Sequence, residues 1–129
     1  MTATILYIED NFLNRYLVQK ILNLMGYDML GAMDGLTGIT IATESKPDLI
    51  LTDVNLPDID GLEVTRRIKA MPEIRHIPIV ALTANAMHGD RERCLAAGCN
   101  GYLAKPVARQ ELRHAIEHFL AHETNQNVG

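Results

Sequence analysis

The sequence lacks the features that mark membrane, secreted and nucleic-acid-binding proteins. None of its apolar runs approaches the roughly 18 residues that cross a bilayer. Residues 1–4 lack the basic and apolar stretches of a signal peptide. Acidic residues outnumber basic ones by 16 to 12, which argues against direct binding to nucleic acid. We therefore expect a cytoplasmic protein with neither a membrane nor a nucleic acid as a direct partner.

Cysteine is scarce as well. Cys94 and Cys99 are five positions apart, a spacing that matches neither a redox CxxC motif nor a pair of zinc ligands. We expect two reduced, structural thiols. The 129 residues, 47% of them apolar, suit one globular domain that can bury a core.

Five short apolar runs alternate with five segments that have apolar residues at helical spacing. The runs are continuous rather than alternating, which predicts strands covered on both faces. The predicted strands are Ile5–Ile8, Met29–Leu30, Leu49–Thr52, Ile79–Leu82 and Tyr102–Ala104. The second is the weakest and suits an edge of the sheet. The alternation predicts an α/β protein with a parallel sheet and right-handed crossovers.

The helical segments are marked by their spacing and by their stop signals. Gly26 is a predicted stop for the first helix and Gly98 for the fourth. The predicted helices cover approximately residues 13–24, 36–44, 61–71, 90–97 and 112–120.

Reactive side chains stand at the ends of four predicted strands. Glu9 and Asp10 follow the first strand, Asp53 the third, Thr83 the fourth and Lys105 the fifth. Because parallel strands present their carboxyl ends at one sheet edge, we expect these residues to share a pocket. Carboxylates that close resist joint ionisation, and a hard divalent cation relieves the repulsion. The cluster therefore predicts a site for Mg²⁺, which prefers oxygen ligands.

Asp53 is also a candidate nucleophile. A carboxylate can attack phosphorus and form an aspartyl phosphate, a reaction that depends on positioning and on charge neutralisation. Lys105 would supply positive charge beside a bound cation, and the Thr83 hydroxyl can donate a hydrogen bond to a phosphoryl oxygen.

These motifs together resemble the receiver domain of two-component response regulators, from about Thr4 to Leu120. The resemblance implies a flavodoxin-like, doubly wound, five-stranded parallel sheet of order 2-1-3-4-5 with five helices in a three-layer α/β/α arrangement. It implies a receiver domain over residues 1–122 and a polar tail over residues 123–129. The segment from Thr83 to Pro106 is most similar to receivers of hybrid kinases and of DivK-type single-domain regulators. The matching motifs are Ile8-Glu9-Asp10-Asn11, Leu51-Thr52-Asp53 with Pro57, Asp60-Gly61, Leu82-Thr83-Ala84 and Tyr102-Leu103-Ala104-Lys105-Pro106.

The resemblance assigns roles to the acidic cluster. Asp53 matches the phosphoacceptor. Asp10 and Asp53 match the direct Mg²⁺ ligands, with the backbone carbonyl of Asn55 as a third. Glu9 matches an acid that reaches the metal either directly or through water, and both possibilities stay open.

The resemblance also assigns the groups that contact the phosphoryl group and transmit the signal. Thr83 matches the switch hydroxyl and Tyr102 the switch aromatic. The peptide bond between Lys105 and Pro106 is expected to be cis. The predicted phosphoryl contacts are Asn55, Thr83, Ala84 and Lys105. Asn55 and Asn85 occupy the two positions that tune dephosphorylation in the family.

The function implied is signalling rather than metabolic. The chain would take a phosphoryl group from a histidine kinase or phosphotransfer protein and catalyse only its own phosphorylation and dephosphorylation. It would then switch the binding of a downstream protein through the face of the fourth helix, fifth strand and fifth helix, as a monomer or a phosphorylation-dependent dimer. The alternatives are a receiver excised from a larger protein, an aspartate-nucleophile phosphatase, and an interaction module with a vestigial site. Asn55 replaces the second aspartate that such phosphatases use.

Overall fold

The computed structural model describes the backbone of residues 2–84 and 89–128, and the side chains of these residues up to Ala121. Within these residues, five strands alternate with five helices, as the sequence predicts. The strands are β1 (Thr4–Ile8), β2 (Asp28–Ala32), β3 (Leu49–Asp53), β4 (Ile79–Thr83) and β5 (Gly101–Ala104). The helices are α1 (Phe12–Leu24), α2 (Gly35–Ser45), α3 (Gly61–Lys69), α4 (Asp90–Ala97) and α5 (Arg109–Val128).

The strands form one parallel sheet in the order β2-β1-β3-β4-β5, which confirms the predicted topology. The register aligns the carboxyl ends of the strands. Ile8 of β1 pairs with Thr52 of β3, and Thr83 of β4 pairs with Ala104 of β5. The residues that follow these pairs therefore emerge at the same edge of the sheet.

Two apolar clusters cover the two faces of the sheet and give three layers. One face packs against α2, α3 and α4 through residues such as Ile39, Ile68 and Cys94. The other packs against α1 and α5 through Leu22 and Ile116. The strands β1, β3 and β4 are buried on both sides, which is why their sequences are apolar without alternation.

Local signals set the ends of the helices. Asn11 caps α1 by accepting a hydrogen bond from the Asn14 N–H, and Asp60 caps α3 in the same way. Gly98 ends α4 with a φ of 109°, a left-handed conformation that favours glycine. The last helix runs further than its apolar stripe predicts, to Val128. The expected boundary between residues 122 and 123 lies within it, so the division into domain and tail stays a prediction.

Helix α1 leaves much of its apolar surface in contact with solvent. The helix predicted from the apolar spacing is confirmed, but Leu22 is the one fully buried residue of α1. Val18 and Ile21 are partly buried against the α5 side of the core. The exposed set, named here the α1 apolar face, comprises Phe12, Leu13, Tyr16, Leu17 and Leu24.

Candidate functional site

The predicted acidic cluster forms at the carboxyl edge of the sheet. Glu9, Asp10 and Asp53 each offer a carboxylate oxygen, and these oxygens lie within 4.8 Å of one another. Asp10 is exposed, whereas Glu9 and Asp53 are 1% and 4% exposed. The convergence arises because β1 and β3 are adjacent and end at the same level. The three carboxylates therefore converge as the parallel topology predicted.

Lys105 supplies the positive charge of the site. Its ammonium donates to Glu9 Oε1 at 2.9 Å and to Asp53 Oδ2 at 3.0 Å. The peptide bond to Pro106 is cis, as expected. The Lys105 N–H also donates to the Thr83 carbonyl at 2.8 Å, which fixes the segment after β5 beside β4. One ammonium against three carboxylates leaves the ionised cluster with excess negative charge.

The pKa values of the two buried carboxyl groups, Glu9 and Asp53, are shifted in opposite directions. Burial alone would raise the pKa of Glu9, but hydrogen bonds from Lys105 and from the Asn11 N–H hold it at about 2. Burial also raises the pKa of Asp53; Lys105 opposes this shift and the Glu9 charge adds to it, so the pKa stays above its usual value. Glu9 is thus firmly ionised, while ionised Asp53 is short of compensating positive charge.

Glu9 is oriented by neighbours that the sequence reading did not single out. The Tyr7 hydroxyl and the Asn14 amide each donate to Glu9 Oε1 at 3.2 Å. Burial, followed by the Glu9 charge, raises the pKa of Tyr7, which keeps its hydroxyl protonated and able to donate. Arg15 donates to the Glu9 backbone carbonyl at 2.5 Å. Their role could have been inferred from the sequence, because Asn14 and Arg15 lie at the start of the helix that directly follows Glu9 and so must be close to it.

The loop after β3 shapes the surroundings of Asp53. The Asn55 N–H donates to Asp53 Oδ1 at 3.2 Å, while the Asn55 side chain is exposed. Gly61 approaches Asp53 so closely that a Cβ there would lie 2.2 Å from the Asp53 carbonyl oxygen. The Asp60-Gly61 motif is thereby explained: Asp60 starts α3, and Gly61 lets α3 begin against the backbone of the candidate phosphoacceptor.

Thr83 and Tyr102 lie on the two strands beside the cluster. Thr83 ends β4, is 1% exposed, and donates from its hydroxyl to Asp90 Oδ2 at 2.5 Å. Ala84 follows it and is exposed, and Asn85 lies outside the described residues. Tyr102 pairs with Ala81 and is half-buried against the core cluster under α2, α3 and α4.

The donor set fits a small hard cation. Carboxylate oxygens from adjacent strand ends lie close together, and one of them belongs to the exposed Asp10. The negative charge of ionised Asp53 is only partly neutralised by its neighbours. Oxygen ligands with an open, water-accessible side are what Mg²⁺ requires. A buried carboxylate, a candidate cation site and an ammonium in contact with that carboxylate are the groups that phosphoryl transfer to an aspartate requires.

Comparison with known proteins identifies the family. The response regulator receiver domain family matches residues 5–117 of the chain. The chain therefore belongs to this family, and it is a receiver domain of two-component signalling.

Individual relatives are similar to this chain in sequence, and two solved structures are also similar to it in fold. The polar-differentiation response regulator DivK of Brucella ovis is 41% identical over 120 residues, covering 93% of this chain and 98% of DivK. The receiver domain of sensor histidine kinase PA1611 of Pseudomonas aeruginosa, solved with a magnesium ion in its active-site cleft, is 41% identical with a TM-score of 0.88, covering 94% and 99% of the chains. The Ssk1 receiver domain of Saccharomyces cerevisiae, solved with the phosphotransfer protein Ypd1, is 27% identical with a TM-score of 0.88, covering 95% and 91%.

Two further sequence expectations can be compared with the structure. Cys94 and Cys99 are both buried and free, and burial raises the pKa of the Cys94 thiol to about 11. Among the described helices, none combines the length and apolarity that a bilayer crossing requires.

Proposed function

We propose that this receiver accepts a phosphoryl group on Asp53 in a magnesium-dependent reaction and thereby changes its binding to a partner protein. The observation that carries the proposal is the Lys105 ammonium held between Asp53 and Glu9, in a cluster whose carboxylate oxygens lie within 4.8 Å. The cluster joins the nucleophile, its counter-charge and the cation ligands in one place. The vestigial alternative leaves this convergence unexplained.

The metal would be held by Asp10, Asp53 and the Asn55 carbonyl, with Glu9 either as a ligand or bound through water. Bound Mg²⁺ supplies positive charge that neutralises the carboxylates and the incoming phosphoryl oxygens. Glu9 needs no proton removed before it can serve, because the pKa of this carboxyl is held at about 2.

The transfer step follows from the position of Asp53. A carboxylate oxygen of Asp53 attacks the phosphorus of a phosphohistidine, and the new P–O bond forms as the P–N bond breaks. The electron pair of the P–N bond stays on the imidazole nitrogen, which takes a proton from water. The Lys105 ammonium already contacts Asp53 Oδ2 at 3.0 Å, and after transfer it would contact the negatively charged phosphoryl oxygens. Thr83 and the Ala84 and Asn55 backbones would complete the contacts.

We propose a signalling domain rather than a metabolic enzyme. The position two residues after Asp53 is Asn55, whose side-chain amide does not ionise near neutral pH and so cannot serve as the general acid or base that a phosphatase needs. The site therefore favours one phosphoryl group held per chain over repeated turnover of external substrates. We place this reaction in the cytoplasm, where histidine kinases draw on ATP.

The phosphodonor is proposed to dock on the α1 apolar face. This face adjoins a groove of about 480 Å³ that leads to Lys105 and is also lined by Leu17, Ile21 and Val107. An amphipathic helix carrying a phosphohistidine would bury its apolar residues there and bring its phosphoryl group towards Asp53. A histidine kinase or a phosphotransfer protein presents such a helix, and the Ssk1 receiver was solved with a phosphotransfer protein.

The output surface is proposed to be the face formed by α4, β5 and α5. Tyr102 lies half-buried on β5, and Leu95 of α4 is 46% exposed. A shift of Thr83 towards the phosphoryl group would alter the packing of Tyr102 and change this face as a population shift. Binding of a downstream protein, or of a second copy as a phosphorylation-dependent dimer, would read out that shift.

The test is covalent labelling with a small phosphodonor such as acetyl phosphate. In Mg²⁺, we expect one phosphate per wild-type chain by intact mass, and none after removal of Mg²⁺ with a chelator. The Asp53→Asn variant should stay unlabelled. The matched control is Asp28→Asn, which removes an exposed carboxylate on β2 and should label normally.

Three results would contradict the proposal. An unlabelled wild type would favour the vestigial module. Equal labelling of the Asp53→Asn variant would place the phosphate on another residue. Release of many phosphates per chain from external phosphoesters would favour a phosphatase.

A further inference from the structure

A buried carboxylate outside the cation cluster holds the candidate switch residue. Asp90 is the first residue of α4 and is 4% exposed. Its Oδ2 accepts from the Thr83 hydroxyl at 2.5 Å, and its Oδ1 accepts from Arg93 Nη1 at 2.7 Å. The two oxygens of one carboxylate thus join the end of β4 to the first turn of α4.

The Thr83 hydroxyl has one proton to donate. A hydroxyl can accept several hydrogen bonds but donates only one. In this structure the proton is directed to Asp90, so it is not available to an oxygen bound at Asp53. Donation to Asp90 and donation to a phosphoryl group are therefore mutually exclusive states of the same side chain.

We propose that Asp90 is a positioning residue that latches Thr83 in the unphosphorylated state. The inference rests on the proposed phosphorylation of Asp53 and deepens it. When a phosphoryl group binds, Thr83 exchanges its acceptor from Asp90 to a phosphoryl oxygen, and the start of α4 loses its tie to β4. Arg93 keeps Asp90 paired after the exchange, so the buried carboxylate is not left without a partner.

The latch has a thermodynamic consequence. A hydrogen bond to a buried carboxylate is charge-assisted and stronger than one between neutral groups. Phosphoryl binding must break it, so the bond lowers the apparent affinity of the site for a phosphoryl group. By linkage, removal of the latch should raise that affinity, and an occupied site should loosen α4.

Asp90 could instead serve only the stability of α4. A carboxylate in the first helical turn interacts favourably with the helix dipole, and the residue before it, Gly89, makes no side-chain cap. That role does not depend on Thr83. The latch does, so the effect of an Asp90 substitution must disappear in a Thr83→Ala background.

The experiment measures binding of beryllofluoride, a phosphoryl mimic, to the full chain in Mg²⁺ by calorimetry. We expect Asp90→Ala to bind about tenfold more tightly than the wild type. In the Thr83→Ala background, the same substitution should change affinity by less than about twofold. Asp90→Asn keeps the size and a neutral acceptor, so it should give a smaller increase and serves if Asp90→Ala fails to fold. Arg93→Gln removes the ion pair but leaves the Thr83 acceptor, and it should bind close to wild type.

The outcomes separate the latch from the function beneath it. Equal effects of Asp90→Ala with and without Thr83, or weaker binding by both Asp90 variants, would overturn the latch while leaving phosphorylation intact. A wild type that neither binds beryllofluoride nor takes a phosphate would overturn the proposed function and the latch with it.

Discussion

At the scale of single residues, the site depends on close approaches as much as on reactive groups. The Lys105 ammonium serves two carboxylates, Glu9 and Asp53, so a small displacement of either changes both contacts. Backbone packing fixes Asp53 from the other side, because Gly61 N–H donates to the Val54 carbonyl at 2.8 Å. The position of Asp53 therefore depends in part on Gly61, a residue with no side chain.

We predict that Gly61→Ala disturbs both stability and phosphorylation. The added Cβ would meet the Asp53 carbonyl oxygen at 2.2 Å, and the backbone would have to move apart. Overpacking of this kind costs about 1–3 kcal/mol, and a displaced Asp53 should slow labelling by a small phosphodonor. Urea unfolding and the labelling rate measure the two effects.

Gly31→Ala is the control for this prediction. A Cβ at Gly31 would have its nearest neighbour, a carbon of Arg15, at 3.5 Å, which is an ordinary contact. This variant should change the labelling rate little. A Gly61→Ala protein with wild-type stability and a wild-type labelling rate would contradict the prediction, because it would show that the loop accommodates the added Cβ without moving Asp53.

At the scale of elements, α1 has two separate tasks. Its N-terminal end supports Glu9, which accepts hydrogen bonds from the Asn14 side-chain amide and from the backbone N–H of the capping residue Asn11. Its outer surface contributes little to the core, since Leu22 is the buried residue of the helix. This exposed apolar surface beside the acidic cluster is the one proposed above to dock the phosphodonor.

We predict that the double substitution Leu13→Ala/Leu17→Ala slows phosphoryl transfer from a partner protein but not the reaction with a small phosphodonor. Both side chains are at least half exposed, so stability should change by no more than about 0.5 kcal/mol for each. Transfer from a phosphorylated histidine phosphotransfer protein should slow about tenfold, since apolar anchors dominate such interfaces. Labelling by acetyl phosphate should be unchanged.

Leu95→Ala is the matched control, because Leu95 is similarly exposed but lies on α4. It should preserve transfer from the phosphotransfer protein. If the α1 variant transfers as fast as wild type while Leu95→Ala is slow, the donor docks on the α4 side.

At the scale of the whole molecule, we expect the acidic cluster to make stability depend on Mg²⁺ and on pH. Burial and the neighbouring Glu9 charge raise the pKa of Asp53 even though Lys105 contacts it. An acid with a raised folded-state pKa stabilises the fold when protonated and loses that contribution as pH rises through the folded pKa. Ionised Asp53 is therefore a local destabilisation in the metal-free protein at neutral pH.

We predict that Asp53→Asn raises the Tm of the metal-free protein at neutral pH and abolishes its stabilisation by Mg²⁺. Wild type should gain about 2.7 kcal/mol in Mg²⁺ at a hundred times its Kd. The metal-free difference between the two proteins should shrink as pH falls from neutral through the raised pKa of Asp53, because the wild-type carboxyl then takes up a proton and loses its destabilising charge. Thermal denaturation with and without Mg²⁺ across this pH range measures both effects.

The exposed Asp28→Asn variant should retain the Mg²⁺ response. A metal-free Asp53→Asn protein less stable than wild type at neutral pH would contradict the raised pKa. A full Mg²⁺ response in that variant would contradict the assignment of Asp53 as a ligand.

The sequence by itself determined the sheet and the positions of the reactive residues. Each of Glu9, Asp53, Thr83 and Lys105 ends or directly follows its own apolar strand, and parallel topology places all strand ends at one edge. The sequence was sufficient to locate the central strands, because a strand buried on both faces consists of a continuous run of apolar residues. It was weakest for β2, an edge strand that pairs on one side only.

The tertiary structure alone decided which groups these residues contact. Spacing showed that α1 is helical but not which of its apolar residues the core would cover, because that depends on how α5 packs beside it. The choice of Asp90 as the acceptor for Thr83 depends on where α4 begins relative to β4. The closeness of Gly61 to Asp53 depends on a loop that turns back on its own strand. These are contacts between separately formed elements, and periodicity within one element holds no information about them.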